Sequence, residues 1–232
     1  MRKNFLKTIY FNEIHSDTPQ EENYIKNIDI FQNISELHFE ESITYFVWEN
    51  GSGKSTLLEN IATTFGFNKE WGTKNSLFQT NDIDNKSNAW LKLSWQPQKF
   101  LSGFFFRWES MYNFINYQES IWWFNAYGWE HLHTMSHGQQ FIRILESLMD
   151  KVGFYIFDEI ESALSPENQL KAVEIIKYMA KNGSQFIIAT HSPIILSIKQ
   201  NSQIVSFDYG YIHEVDYDLV PCVDMYRRVL NK

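Results

Sequence analysis

Ile43-Thr44-Tyr45-Phe46-Val47-Trp48-Glu49-Asn50-Gly51-Ser52-Gly53-Lys54-Ser55-Thr56-Leu57-Leu58 decides the fold. Residues 43–47 are β-branched or aromatic, a strand composition. Leu57, Leu58, Ile61 and Ala62 then recur at helical spacing. Between them lies a glycine-rich turn. Small residues there let backbone N–H groups curl around phosphate oxygens. Lys54 would carry a point charge to the β- and γ-phosphates, and Ser55 a hydroxyl to Mg2+. The helix dipole beginning near Lys54 adds to the attraction. A chance surface loop is the bland alternative, and the flanking strand and helix count against it. The pattern G-x-x-x-x-G-K-[ST] is broken once: its first glycine position holds Trp48.

Downstream, Phe154-Tyr155-Ile156-Phe157 is an apolar run ending in Asp158-Glu159, 104 residues after Lys54 (158 − 54). A buried strand would set Asp158 beside the glycine-rich turn, where it could hold Mg2+. Glu159 could orient or deprotonate a water. Acids that merely cap a turn are the competing reading. Residues 186–189 form another apolar run, ending in Thr190-His191-Ser192-Pro193. A histidine in such a place is more often structural, but its offset of 33 from Asp158 (191 − 158) leaves room for one helix and one strand.

Further strands are expected at residues 6–11, 37–39 and 104–106, with a late hairpin of 204–207 and 211–215 turned at Tyr209-Gly210. Helices are expected at 110–121, 138–149, 166–181 and 223–230, the third opened by Pro166. Residues 12–29 and 68–88 are polar and read as loop and surface excursion. Apolar strands alternating with helices predict an α/β fold with a mostly parallel central sheet flanked by helices, and an antiparallel β region beside it. Polar residues gather at the carboxyl ends of the strands, where such sheets bind ligands. One domain spanning 1–232 is expected, with a helical subregion at about 68–150.

The 232 residues can bury a substantial core, and 44% are hydrophobic. The net charge of −8 gives no general attraction to nucleic acid, although a local basic patch remains possible. The lone cysteine, Cys222, excludes an internal disulfide and fits a reducing cytoplasm. Residues 1–17 contain no signal-peptide-like apolar stretch, and no run of about 18 apolar residues predicts a membrane span.

Taken in order, these motifs resemble the ABC-type P-loop ATPase superfamily. Residues 49–59 look like its phosphate loop, Met135-Ser136-His137-Gly138-Gln139-Gln140 like its signature, and Asp158-Glu159 like its Walker B end. Ser162-Ala163-Leu164-Ser165 looks like the D-loop and His191 like the switch histidine. Within the superfamily the chain looks most like small soluble AAA domain-containing "predicted ATPase" proteins of the SMC-like group. That likeness rests on residues 104–110, on Tyr127-Gly128-Trp129 and on residues 185–193. The resemblance implies that Asn50, Gly51, Ser52, Gly53, Lys54, Ser55 and Thr56 bind ATP, that Ser55 and Asp158 hold Mg2+, and that Glu159 and His191 are catalytic. It also implies an ATP-dependent homodimer in which Ser136 and Gly138 of one chain reach the γ-phosphate bound by the other. Glu109 is the candidate for a further Mg2+-linked position, with Gln96 and Gln98 weaker. His137, Ser165 and Ile160 depart from the family pattern at a glycine, an aspartate and a proline position. No protein partner is named by the motifs. A soluble dimerising ATPase is the leading expectation. A transporter's nucleotide-binding subunit and a catalytically impaired ATP-binding module are the alternatives.

Eight tryptophans stand against only ten glycines. Trp48 and Trp129 occupy positions where relatives resemble glycine, and Trp71 precedes Gly72 in a turn. One cause would be a recoded stop codon, read as glycine by the source organism. Drift with local repacking is the alternative. If position 48 needs glycine's backbone freedom, an indole there would distort the turn.

Overall fold

The computed structural model describes residues 4–12, 31, 33–48, 53–67, 90–96, 102–107, 135–208 and 211–231. The expected excursion at 68–88, the helix at 110–121 and the turn at Tyr209-Gly210 lie outside them, as does all of the expected loop at 12–29 except Asn12.

A six-stranded sheet runs in the order β5 (Ser102–Arg107), β6 (Gly153–Asp158), β7 (Gln185–Ala189), β3 (Ile43–Val47), β8 (Ser202–Ser206), β9 (His213–Glu214). All of its pairings are parallel except β8 with β9. Every residue of β3, β6 and β7 is buried, as continuous apolar runs predict for a sheet covered on both faces.

The period-2 alternation of the strands divides their side chains between two cores. Phe104, Phe106, Tyr155 and Phe157 point into one, which α2 (His137–Leu148) and α3 (Pro166–Lys181) cover. Phe105, Phe154 and Ile156 point into the other, beneath α1 (Lys54–Phe65). The second core is closed by a three-stranded antiparallel sheet in the order β2 (Glu36–His38), β1 (Leu6–Phe11), β4 (Leu91–Trp95). Its Leu6, Ile9 and Leu91 pack with Leu57, Ile61 and Ile187. The buried Gln185 side chain joins the two sheets like a ladder rung. Its Oε1 accepts from the Leu6 N–H at 2.8 Å, and its Nε2 donates to the Leu6 carbonyl at 2.9 Å.

The fold is α/β, with a mostly parallel sheet flanked by helices. Residues 166–181 form a helix with the expected bounds, capped by Ser165 and opened by Pro166. The last helix, α4 (Pro221–Leu230), begins two residues earlier than expected, also on a proline. Helix α2 begins at His137 rather than Gly138. β4 was not anticipated. Between 68 and 150 the described residues give β4 and β5 as well as α2.

Position 48 does not need a glycine backbone. Glu159 and Asn201 are the non-glycine residues with positive φ among those described, and Trp48 is not one of them. Its indole is buried, edge-on to Phe207 at 4.0 Å between ring centroids and stacked on Phe46 at 6.2 Å.

Candidate functional site

Strands β3, β6 and β7 are neighbours, so the turns at their carboxyl ends all emerge at one edge of the sheet. After β3 the chain turns into α1 through Gly53, whose φ of 92° only glycine adopts without strain. Lys54, the first residue of α1, is buried. Its ammonium meets the carboxylate of Glu159 and lies 3.2 Å from Nε2 of His191. These three side chains follow three different strands, Lys54 after β3, Glu159 after β6 and His191 after β7.

Glu159 comes directly after β6 with φ 51°, a left-handed conformation that costs a non-glycine residue energy. Its N–H donates to the Ala189 carbonyl at 3.0 Å, which ties the turn to β7. His191 is fixed from the other side, because its N–H donates to Glu161 Oε1 at 2.7 Å. Burial, and then the Lys54 ammonium, hold the His191 imidazole below its usual pKa, so the ring is neutral at pH 7. Lysine has no acceptor, so Lys54 donates and Nε2 accepts.

Asp158 closes β6 and is almost fully buried. Burial raises its pKa, while Lys54, Arg107 and the Ser55 hydroxyl pull it down. One carboxylate oxygen, Oδ2, accepts from Arg107 Nε at 3.4 Å. The other, Oδ1, is buried with no hydrogen-bond partner. An unpartnered carboxylate oxygen beside a serine hydroxyl is a hard-oxygen donor pair that suits Mg2+. Among the described residues no group of three or more His, Cys, Asp or Glu could hold a metal by itself. Two protein oxygens suit a cation that takes its remaining ligands from phosphate and water.

Ser136 and Gly138 lie at the start of α2. Ser136 caps α2 through a reciprocal capping box with Gln139. A Cβ on Gly138 would lie 2.7 Å from the Ala163 carbonyl, so glycine is what lets α2 approach that turn. No described hydrogen bond or ion pair links Ser136 or Gly138 to the Lys54 cluster. Ser165 serves as the N-cap of α3, accepting from the Asn168 N–H. Thr56 lies in the first turn of α1, and its carbonyl accepts from the Asn60 amide. Gln96 donates its N–H to the Phe5 carbonyl, beside the antiparallel sheet. Asn50, Gly51, Ser52, Glu109 and Gln98 lie outside the described residues.

Two residues of the cluster, Arg107 and Glu59, were not anticipated. Arg107, the last residue of β5, contacts both Asp158 and Glu59 of α1. A charge ending the Phe104-Phe105-Phe106 run, at the same sheet edge as Asp158, was the available clue. A cavity of about 650 Å3 lies away from the cluster, lined by Ile43, Ala180, Lys181, Ile198 and Lys199 among others, and holds none of these residues.

Residues 120–197 match the family described as "AAA domain, putative AbiEii toxin, Type IV TA system". The chain is 26% identical over 179 residues to the cytochrome c biogenesis ATP-binding export protein CcmA of Rickettsia bellii, covering 70% of this chain and 86% of that protein. It is 33% identical over 84 residues to the arginine transport ATP-binding protein ArtP of Haemophilus influenzae, covering 36% of this chain but only 34% of that protein. The SMC head domain from Thermotoga maritima superposes with a TM-score of 0.47 at 19% identity, over 93% of this chain and 98% of that chain. In these matches, and in the lysine, acids and histidine that its strand-to-helix turns bring together, the chain is similar to ATP-binding proteins of the ABC type.

Proposed function

We propose that this chain binds Mg-ATP at the Lys54–Asp158–Glu159–His191 cluster, hydrolyses it, and works as a nucleotide-dependent dimerising switch. The convergence of Lys54, Glu159 and His191 from three strand ends carries the reading. Lys54 and the N–H groups of residues 50–56 bind phosphate. Ser55 and Asp158 hold the cation, which when bound draws charge from the β- and γ-phosphates, and Glu109 is a further candidate ligand. Glu159 takes a proton from the attacking water, and His191 orients the γ-phosphate. Ser136 and Gly138 serve the nucleotide of a second copy.

The Lys54–Glu159 contact gives the sequence of events a physical order. The ammonium must exchange a carboxylate for phosphate oxygens when nucleotide arrives. That exchange frees Glu159 to act as a base only once the substrate is in place. The proposed compartment is the cytoplasm, and no other protein partner is identified.

Titration with a fluorescent ATP analogue tests the reading. Lys54→Ala should lose tight Mg-ATP binding, and unchanged affinity would overturn the assignment. Glu159→Gln should bind ATP at least as tightly as the parent chain, with turnover lower by about 10²–10⁴-fold.

A second reading, the nucleotide-binding subunit of a transporter, draws support from the transport names of both curated relatives. No described helix is long and apolar enough to cross a membrane. Co-purification with an integral membrane protein would favour it.

A further inference from the structure

Arg107 brings together two carboxylates that are far from it in sequence. Register in the sheet sets it opposite Asp158 on β6, and its Nε donates to Asp158 Oδ2 at 3.4 Å. Its Nη1 donates to Glu59, in the second turn of α1. The side chains of Arg107, Asp158 and Glu59 are 19%, 4% and 19% exposed, so solvent screens these charges weakly.

Two features give this arrangement a direction. First, Arg107 engages only one oxygen of Asp158 and leaves Oδ1 without a partner. A carboxylate is a two-fold rotor, and a fixed donor on Oδ2 settles which oxygen stays free. Second, Glu59 lies one helical turn beyond Ser55 on the same face of α1. The guanidinium therefore joins the face of α1 that carries Ser55 to the strand that carries Asp158.

We propose that Arg107, braced by Glu59, is a positioning residue for the divalent cation: it holds Asp158 Oδ2 so that Oδ1 and the Ser55 hydroxyl are the pair presented to the metal. This rests on the nucleotide-site reading above. The planar fork of arginine serves two carboxylates at once, and a lysine ammonium does not reproduce it. Glu59 keeps the guanidinium compensated when a second cation arrives beside Asp158.

A structural ion pair gives a different expectation, since replacing a buried pair by apolar groups is often neutral or stabilising. The test uses Mn2+ as the probe, read by its electron paramagnetic resonance signal in the presence of saturating ADP. Nucleotide affinity is measured separately in excess chelator, and thermal melting confirms folding. Arg107→Met should raise the Mn2+ half-saturation concentration by about 10–100-fold, the usual loss when a metal ligand's orienting partner is removed. Metal-free ADP affinity should stay within about twofold. Glu59→Gln should give a smaller loss, and the double variant should be no worse than Arg107→Met alone, because the two act as one unit. If Arg107→Met does not fold, Arg107→Lys replaces it and should also bind Mn2+ more weakly. Unchanged Mn2+ binding in a folded Arg107→Met or Arg107→Lys variant, or fully additive losses with Glu59→Gln, overturns the proposal. A parent chain that binds no nucleotide ends the broader reading instead, and the two failures are thereby told apart.

Discussion

His191 sits 3.2 Å from the Lys54 ammonium, so its protonation would replace a hydrogen bond with two facing cations. Its pKa is lowered in the folded chain, first by burial and then by Lys54. Below the unfolded value of about 6.5 the unfolded chain binds the extra proton and the folded chain resists it. The stability is therefore complete above that value and is lost as pH falls through it toward the folded pKa. Melting temperatures between pH 7.5 and 5.5 should fall more steeply for the parent chain than for His191→Gln. Parallel slopes would show that this ring does not sense the change. Trp48 poses a separate question at the same scale. Its buried indole fills the space between Phe46 and Phe207, so in the chain as written Trp48→Gly should cost about 3–5 kcal/mol. The codons at 48 and 129 identify the native residue. UGG at both ends the recoding idea, and UGA makes glycine the residue that the source organism inserts.

Among the elements, α2 is held by two devices of different strength. The Ser136 capping box is worth about 1 kcal/mol, the usual cost of truncating such a cap to alanine. Gly138 permits a backbone approach that a methyl group would block at 2.7 Å from the Ala163 carbonyl and 3.1 Å from the Asn168 amide. Gly138→Ala should thus destabilise by about 1–3 kcal/mol in urea unfolding, more than Ser136→Ala. Equal effects would mean that α2 shifts at little cost. The elements also show what sequence reveals. Helix α3 was legible because its cap, its first-turn proline and its apolar spacing are all local. β4 was not, although Leu91, Leu93 and Trp95 alternate correctly. It is a short edge strand whose partner, β1, lies some eighty residues earlier, as the Tyr10↔Lys92 pairing shows. Lys54, Asp158 and His191 could be placed together because each ends or follows an apolar run, and the three runs finish at the same sheet edge. Arg107 ends such a run too, but its partners Glu59 and Asp158 are 48 and 51 residues away, and nothing near it names them.

For the molecule as a whole, it bears on assembly that no described hydrogen bond or ion pair joins Ser136 or Gly138 to the Lys54 cluster. If they complete a second chain's site, Glu159→Gln with ATP should scatter light as twice the mass of the nucleotide-free chain. A monomer at concentrations well above micromolar counts against the switch. The sheet order carries another consequence, for synthesis. β3 leads into the glycine-rich loop, yet its two neighbours are β7 and β8. Ile43 pairs with Phe186 and with Ser202, separations of 143 (186 − 43) and 159 (202 − 43) residues. A ribosome adding about 5–20 residues per second needs roughly 7–30 s to cover the shorter of these gaps. Through that interval Ile43-Thr44-Tyr45-Phe46-Val47 is an unpaired, uncharged, strand-forming segment of the kind that aggregates. Nucleotide cannot shelter it, because the pocket that would bind nucleotide is assembled only when β7 and β8 emerge. An unpaired β3 would therefore make the nascent chain a chaperone client until β7 and β8 emerge.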